Sequence, residues 1–222
     1  MDLPTEVGVM TLPHTTLFPQ AFLPLHIFES RYRRMLEDAL DSHRMFAVAL
    51  RRPDRSRETP AAVAGLGLVR ASVSQADGTS NLILQGITRV ELAEVARSRP
   101  YRRYRLRPLA STIRDRATVD ALTTRLLKVV KARLQQSGSA VTLSAPEAGG
   151  VAGGWPSRFA HVKQVEVLAH VDQPDQIADL VSWTLLPSSD QRQVLLETLD
   201  VETRLQRLLH FLSVESRQPL TP

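Results

Sequence analysis

TLPHTTLFPQAFLPLHIFESRYRRMLEDAL, residues 11–40, decides how the rest of the chain is read. Pro13, Pro19 and Pro24 fix φ and remove backbone donors, so only short strands fit here, with the prolines at edges, ends or bulges. The hydrophobes between them, Leu12, Leu17, Phe18, Phe22, Leu23, Leu25, Ile27 and Phe28, are expected to be buried. After Phe28 the period becomes helical: Tyr32, Met35, Leu36, Ala39 and Leu40 share one stripe while Arg31, Arg33, Arg34, Glu37, Asp38 and Asp41 lie off it. The stretch predicts strand, kink, strand and a helix docked on a sheet that changes direction often, as the first strands of a small barrel do.

Working outward, MFAVAL at residues 45–50 reads as a strand buried on both faces, followed by a polar, exposed and mobile loop over residues 51–60. Residues 63–74 and 80–85 form a hairpin around Asp77-Gly78, which supplies positive φ. Gly86 marks a bulge or bend. The chain then resumes over residues 87–95, with Val90 and Leu92 on one face and Arg89, Glu91 and Ala93 on the other. Residues 104–109 alternate again, with Tyr104 and Leu106 inward. From residue 114 the pattern is helical: Val119, Leu122, Leu126, Val129, Val130 and Leu134 oppose Arg125, Lys128, Lys131 and Arg133. Residues 137–156 are rich in Gly, Ala, Ser and Pro and read as a flexible insertion. Residues 159–171 carry a weaker helical pattern. Three helices close the chain: one from residue 175 stopped by Pro187, one capped by Ser188 or Ser189 with Gln191 completing a capping box, and one capped by Asp200. The expected fold is α+β: a β-barrel with one inserted helix over residues 1–112, then an α-helical bundle over residues 113–222.

Composition narrows the function classes. The chain has 222 residues, 43% apolar and 23% charged, and no cysteine, which excludes disulfides, thiolate chemistry and cysteine-built metal sites. No apolar run reaches the ~20 residues of a membrane span and no signal stretch opens the chain, so the expected localisation is cytoplasmic. The net charge is +5; of the 28 basic residues only Lys128, Lys131 and Lys163 are lysine, leaving 25 arginines. Arginine's constant charge keeps the isoelectric point high without any selection for a polyanion.

No catalytic constellation is present. His14, His26, His43, His161, His170 and His210 show neither HExxH nor an i, i+4 pair on a helix, so no metal site is expected. Gly65-Leu66-Gly67 lacks the third glycine of a dinucleotide loop, and neither GxxxxGK[ST] nor GxSxG occurs, so neither cofactor nor enzymatic activity is expected. The candidate partner-binding surface is the series Arg97, Arg99, Tyr101, Arg103, Arg105 and Arg107. Arginines there could grip phosphate or carboxylate bidentately and Tyr101 and the interleaved Tyr104 could stack on bases, or the series could be the solvated face of a half-buried strand.

Three passages together resemble the N-terminal, substrate-recognising domain of Lon proteases. They are LPHTTLFPQAFLPLHIFESRYRRMLEDAL at residues 12–40, LILQGITRVELAEV at 82–95, and ADLVSWTLLPSSDQRQVLLETLDVETRLQRLLHFL at 178–212. The resemblance implies a PUA-like β-barrel followed by a helical bundle. In that family the terminal helix continues into ATPase and protease modules, whereas this chain ends at Pro222, so the expectation is a stand-alone, non-catalytic module. It would bind unfolded or degron-bearing polypeptides or act as an adaptor, with a protease or chaperone as partner. RNA binding through the arginine-rich strand face is the alternative.

Overall fold

The computed structural model describes residues 2–53, 58–136 and 171–215. Its elements in chain order are β1 (Glu6–Leu12), β2 (Phe22–Ile27), α1 (Ser30–Leu40), β3 (Met45–Leu50), β4 (Val63–Ser74), β5 (Ser80–Arg97), β6 (Arg103–Leu109), α2 (Arg116–Gln136), α3 (Pro174–Leu185), α4 (Ser189–Glu197) and α5 (Val201–Glu215). The flexible insertion expected over residues 137–156 and most of the weak helical pattern after it lie outside the described residues.

The strand ladders close on themselves. β1 pairs in parallel with β3, β3 with β4, β4 with β5, β5 with β6, and β6 returns antiparallel to β1. β2 lies alongside the first part of β5, Phe22 opposite Gln85 and Ile27 opposite Ser80. β5 is one strand of 18 residues where the sequence suggested two. It changes its outer neighbour near Gly86: β2 flanks residues 80–85, β6 flanks residues 89–97. The β4 register slips at the same place, Leu66 facing Thr88 and Gly67 facing Gly86, so the expected bulge is the corner where the sheet turns.

What presses on that corner is the loop between β1 and β2. A Cβ on Gly86 would stand 1.9 Å from the Phe18 carbonyl oxygen, and one on Gly65 would stand 2.0 Å from that of Leu17. Leu17 and Phe18 are fully buried. Gly65 therefore lets a backbone pass close over the sheet, while Gly67 makes room for the Leu84 and Leu17 side chains. At the β4–β5 turn, Gly78 alone is left-handed, at φ 80°, and Asp77 helps instead by accepting the Thr79 N–H through Oδ1 at 2.9 Å.

Alternation along the strands separates two apolar clusters. Val7, Val9, Met45, Ala47, Ala49, Ala64, Leu66, Val90 and Leu92 form one, with Tyr104 and Leu106 packed against it, so every strand of the ring contributes. The opposite side chains, among them Met10, Phe46, Val48, Leu82 and Leu84, join Tyr32, Met35, Leu36 and Ala39 of α1. β3 is buried along its whole length, as MFAVAL predicts. The second cluster continues without a break into Val119 and Leu126 of α2, Ile177, Val181 and Trp183 of α3, Leu195 of α4 and Leu205, Leu208 and Leu212 of α5. Strands and helices thus share one core.

The helix ends follow the expected chemistry. Ser188 Oγ accepts the Gln191 N–H at 3.4 Å, but Gln191 Oε1 makes no return bond, so the expected capping box is only half formed; Asp200 Oδ1 accepts the Thr203 N–H at 2.9 Å. Asp115 does the same for α2, taking the Ala117 N–H at 3.0 Å.

Besides Phe22, which is half-buried on the outer face of β2, Phe28 corrects the opening expectation. It lies one residue past β2, turned away from the core, and is 51% exposed. The ends of the polar loop after β3 are tied rather than loose, by Arg52 N–H to the Thr59 carbonyl at 2.8 Å and by the Arg31 guanidinium on the Glu58 carboxylate. Residues 54–57 lie outside the described residues.

Candidate functional site

The arginine series falls on the C-terminal part of β5, the following turn and β6, but its members have different surroundings. On β6, Arg103 Nε donates to Glu6 Oε1 of β1 at 2.7 Å, Arg105 Nη1 to Glu94 Oε2 of β5 at 3.0 Å, and Arg107 Nε to Glu91 Oε2 at 2.7 Å. Arg105 and Arg107 stand directly opposite Glu94 and Glu91, and Arg103 reaches Glu6 diagonally, so these three cations are matched by anions. Tyr101 is buried and its hydroxyl donates to Asp38 Oδ2 at 2.7 Å. Burial, with that bond added, raises its pKa and holds it as a neutral phenol. It is not available to stack on a base. The structure therefore brings Arg103, Arg105 and Arg107 into one ladder, turns Tyr101 inward, and leaves Arg97 and Arg99 exposed with no carboxylate partner among the described residues.

Beside Tyr101, a cavity of about 10 Å³, room for a single water, is lined by Gly8, Asp38, His43 and Arg103 among others. His43 Nδ1 accepts the Met45 N–H at 3.1 Å, and burial together with Arg103 lowers the histidine's pKa. The space is too small for a substrate. No group of three or more His, Asp or Glu side chains with metal-binding geometry occurs among the described residues.

A surface that the sequence does not reveal lies at the other end of β5. Leu23, Leu25 and Ile27 of β2 point into the core, as do Leu82 and Leu84 of β5, so their neighbours point out. The registers align these outward residues across three strands: Phe22 with Gln85, Pro24 with Ile83 and Ala71, His26 with Asn81 and Val73. Phe28 extends the row, its ring 6.0 Å from that of His26, and Val73 is 60% exposed. His26 Nδ1 and Asn81 Oδ1 lie 2.8 Å apart in its middle, and Arg70 Nε reaches Gln85 Oε1 at 2.5 Å on its border. β2 is an edge: among the described strands it pairs only with β5. Pro24 removes one donor from that edge, which blunts indiscriminate strand pairing.

Behind this face, buried ions fix the sheet to the helices. Arg89, which simple alternation assigns to the outer face, is 3% exposed and faces α3 instead. Its Nη1 donates to Asp179 Oδ2 at 2.7 Å, its Nη2 to Asp179 Oδ1, and its Nε to the Leu196 carbonyl at 3.0 Å. Arg204 of α5 reaches the same carboxylate, Nη1 to Oδ1 at 3.0 Å, and spends its other donors on Ser111 and the carbonyls of Thr198 and Leu199. Burial pushes the Arg204 pKa down while Asp179 pulls it back up. Arg192 ties α4 to the β1–β2 loop through the His14 carbonyl at 3.0 Å. The signal for this network is faint but present: Arg204 shares a stripe with Val201 and Leu208, an apolar face where a charge needs a buried partner.

The class the structure defines is an α+β domain in which a ring of strands is docked on a helical group. The chain belongs to the LON substrate-binding domain family, described as the substrate-binding domain of the ATP-dependent protease La, whose model matches residues 6–214. It is 21% identical over 217 residues to a Lon protease of Dictyoglomus thermophilum and 27% identical over 223 residues to one of Roseiflexus castenholzii, alignments covering 96% and 99% of this chain. It spans 25% of the length of each of those relatives. The N-terminal domain of a Mycobacterium avium complex Lon protease superposes with a TM-score of 0.69 at 19% identity, covering 94% of this chain and 98% of that one. A Lon N-terminal domain protein from Xanthomonas campestris gives 0.58 at 21% identity, covering 94% and 99%. No helix among the described residues is long and apolar enough to cross a membrane.

Proposed function

We propose that this protein is a non-catalytic polypeptide-recognition module that takes extended apolar segments of unfolded or degron-bearing proteins, for itself or as an adaptor to a protease or chaperone of the cytoplasm. The observation that carries the reading is the row of Phe22, Pro24, Ile83, Ala71, Val73 and Phe28 on the outer face of β2, β5 and β4. Phe28 and Val73 exposed at the end of a row whose Phe22, Pro24 and Ile83 are half-buried, with polar groups at the centre and border, suit recognition of apolar side chains in an extended chain. Membership of a substrate-binding family supports the same role, and the relatives named Lon protease are about four times as long as the matched region.

The test is anisotropy of a labelled, permanently unfolded protein titrated with the full chain, native or carrying Phe28→Ser with Val73→Ser. Both residues are exposed, so the variant should keep its fold and lose about tenfold in affinity, the loss of one or two apolar contacts of roughly 1–2 kcal/mol in all. No binding by the native chain at high micromolar concentration, or undiminished binding by the double variant, would overturn the proposal.

A further inference from the structure

The arginine series leaves a residue of charge that the apolar face does not use. Residues 93–100, the end of β5 and the turn after it, are all exposed. In this tip Arg97 stands directly opposite Arg103 across the ladder, a like-charge pairing that destabilises a sheet unless something anionic relieves it. Arg103 answers to Glu6 on its far side. Arg105 and Arg107 are matched by Glu94 and Glu91. Arg97 and Arg99 have no carboxylate partner among the described residues. Nearby Arg102 donates to the Glu58 backbone carbonyl, while the Glu58 carboxylate is occupied by Arg31. The tip therefore carries uncompensated positive charge at a place where the backbone is extended and reachable. Val95, two residues before Arg97, is 52% exposed.

We propose that this tip docks an acidic, extended polypeptide segment whose carboxylates meet Arg97 and Arg99 and whose apolar residue meets Val95. Guanidinium groups take carboxylates bidentately, and the match of sign steers encounter as well as holding the complex. A single-stranded nucleic acid fits less well, because base stacking needs an accessible ring, whereas Tyr101 is buried on Asp38 and Tyr104 packs against the inner cluster of the ring. The tip and the apolar row occupy opposite ends of β5, so the two surfaces are tested separately.

The experiment titrates the full chain against three labelled probes: a short peptide alternating Glu and Leu, a peptide of equal length alternating Lys and Leu, and a U-rich RNA. The Glu/Leu peptide should bind, weaken several-fold as salt rises from about 50 to about 300 mM, and lose about tenfold with Arg97→Glu plus Arg99→Glu. Arg97→Gln plus Arg99→Gln should lose several-fold, and it decides the matter if the charge reversal perturbs the fold by circular dichroism. The Phe28→Ser and Val73→Ser variant should bind this probe as the native chain does. Four results would each overturn the proposal: no Glu/Leu binding up to about 1 mM, equal binding of the Lys/Leu peptide, tighter binding of the RNA at the same salt, or indifference to the arginine variants.

Discussion

Replacing Asp179 by asparagine probes the buried ions that join sheet and helices. The carboxylate accepts three charge-assisted bonds, two from Arg89 and one from Arg204, at a site where all three residues are almost wholly buried. Asparagine keeps one acceptor oxygen and turns an NH₂ group toward guanidinium donors. It also leaves two buried cations facing each other with no counter-ion. Hydrogen bonds to charged groups contribute about 1.5–3 kcal/mol each, and removing one partner of a buried pair costs about 3–5 kcal/mol. Against a typical total of roughly 5–15 kcal/mol, that is a large fraction of the stability. For a chain of this length it corresponds to a fall in Tm of about 6–20 °C. Urea and thermal unfolding followed by circular dichroism would measure it. A companion variant with Arg89→Met, Asp179→Leu and Arg204→Met removes every charge at similar volume and should recover part of the loss, the remainder coming from the Leu196, Thr198 and Leu199 carbonyls that give up their donors. A loss below about 1 kcal/mol for Asp179→Asn would refute the reasoning, as would a triple variant no more stable than the single one.

Gly86→Ala should cost at least about 2 kcal/mol in urea unfolding, near the upper end for overpacking, because its Cβ would meet a backbone oxygen at 1.9 Å rather than a side chain that can move aside. Asp200→Ala removes the cap of α5 and should cost about 1 kcal/mol in the same assay. Tyr32 is pushed up to about 12, mainly by burial, while the unfolded phenol titrates near 10.0. The folded state therefore holds its proton longer, the stability it contributes is fully present below pH 10, and it is lost as pH rises from 10 to about 12. Tyr32→Phe should flatten the stability profile across that window, with phenolate absorbance as the direct check.

Local physics made much of the fold legible in the sequence. The helical stripe of α1, the two-sided burial of β3, the turn at Gly78, the bend at Gly86 and the caps Ser188 and Asp200 all depend on residues within a few positions of one another. What escaped depends on register and on distant partners. Arg89 lies on a strand whose alternation sends it outward, and only Asp179, 90 residues away, gives it a reason to be buried. The arginine series looked like an open basic face because Glu6, Glu91 and Glu94 face it only once β1, β5 and β6 are aligned. Phe28 reads as core in the sequence because nothing local marks that the strand has ended. The apolar row emerged from the same cause: Phe22, Ile83 and Val73 belong to three strands, and no single strand's pattern brings them side by side.

The central claim is that unfolded polypeptides are received on that row. Hydrogen–deuterium exchange of the full chain, with and without a saturating unfolded protein, tests it most directly. Slowed exchange should be confined to residues 22–28, 71–73 and 81–85, and lost in the variant carrying Phe28→Ser and Val73→Ser. Protection absent from those residues and found instead on the helices would contradict it.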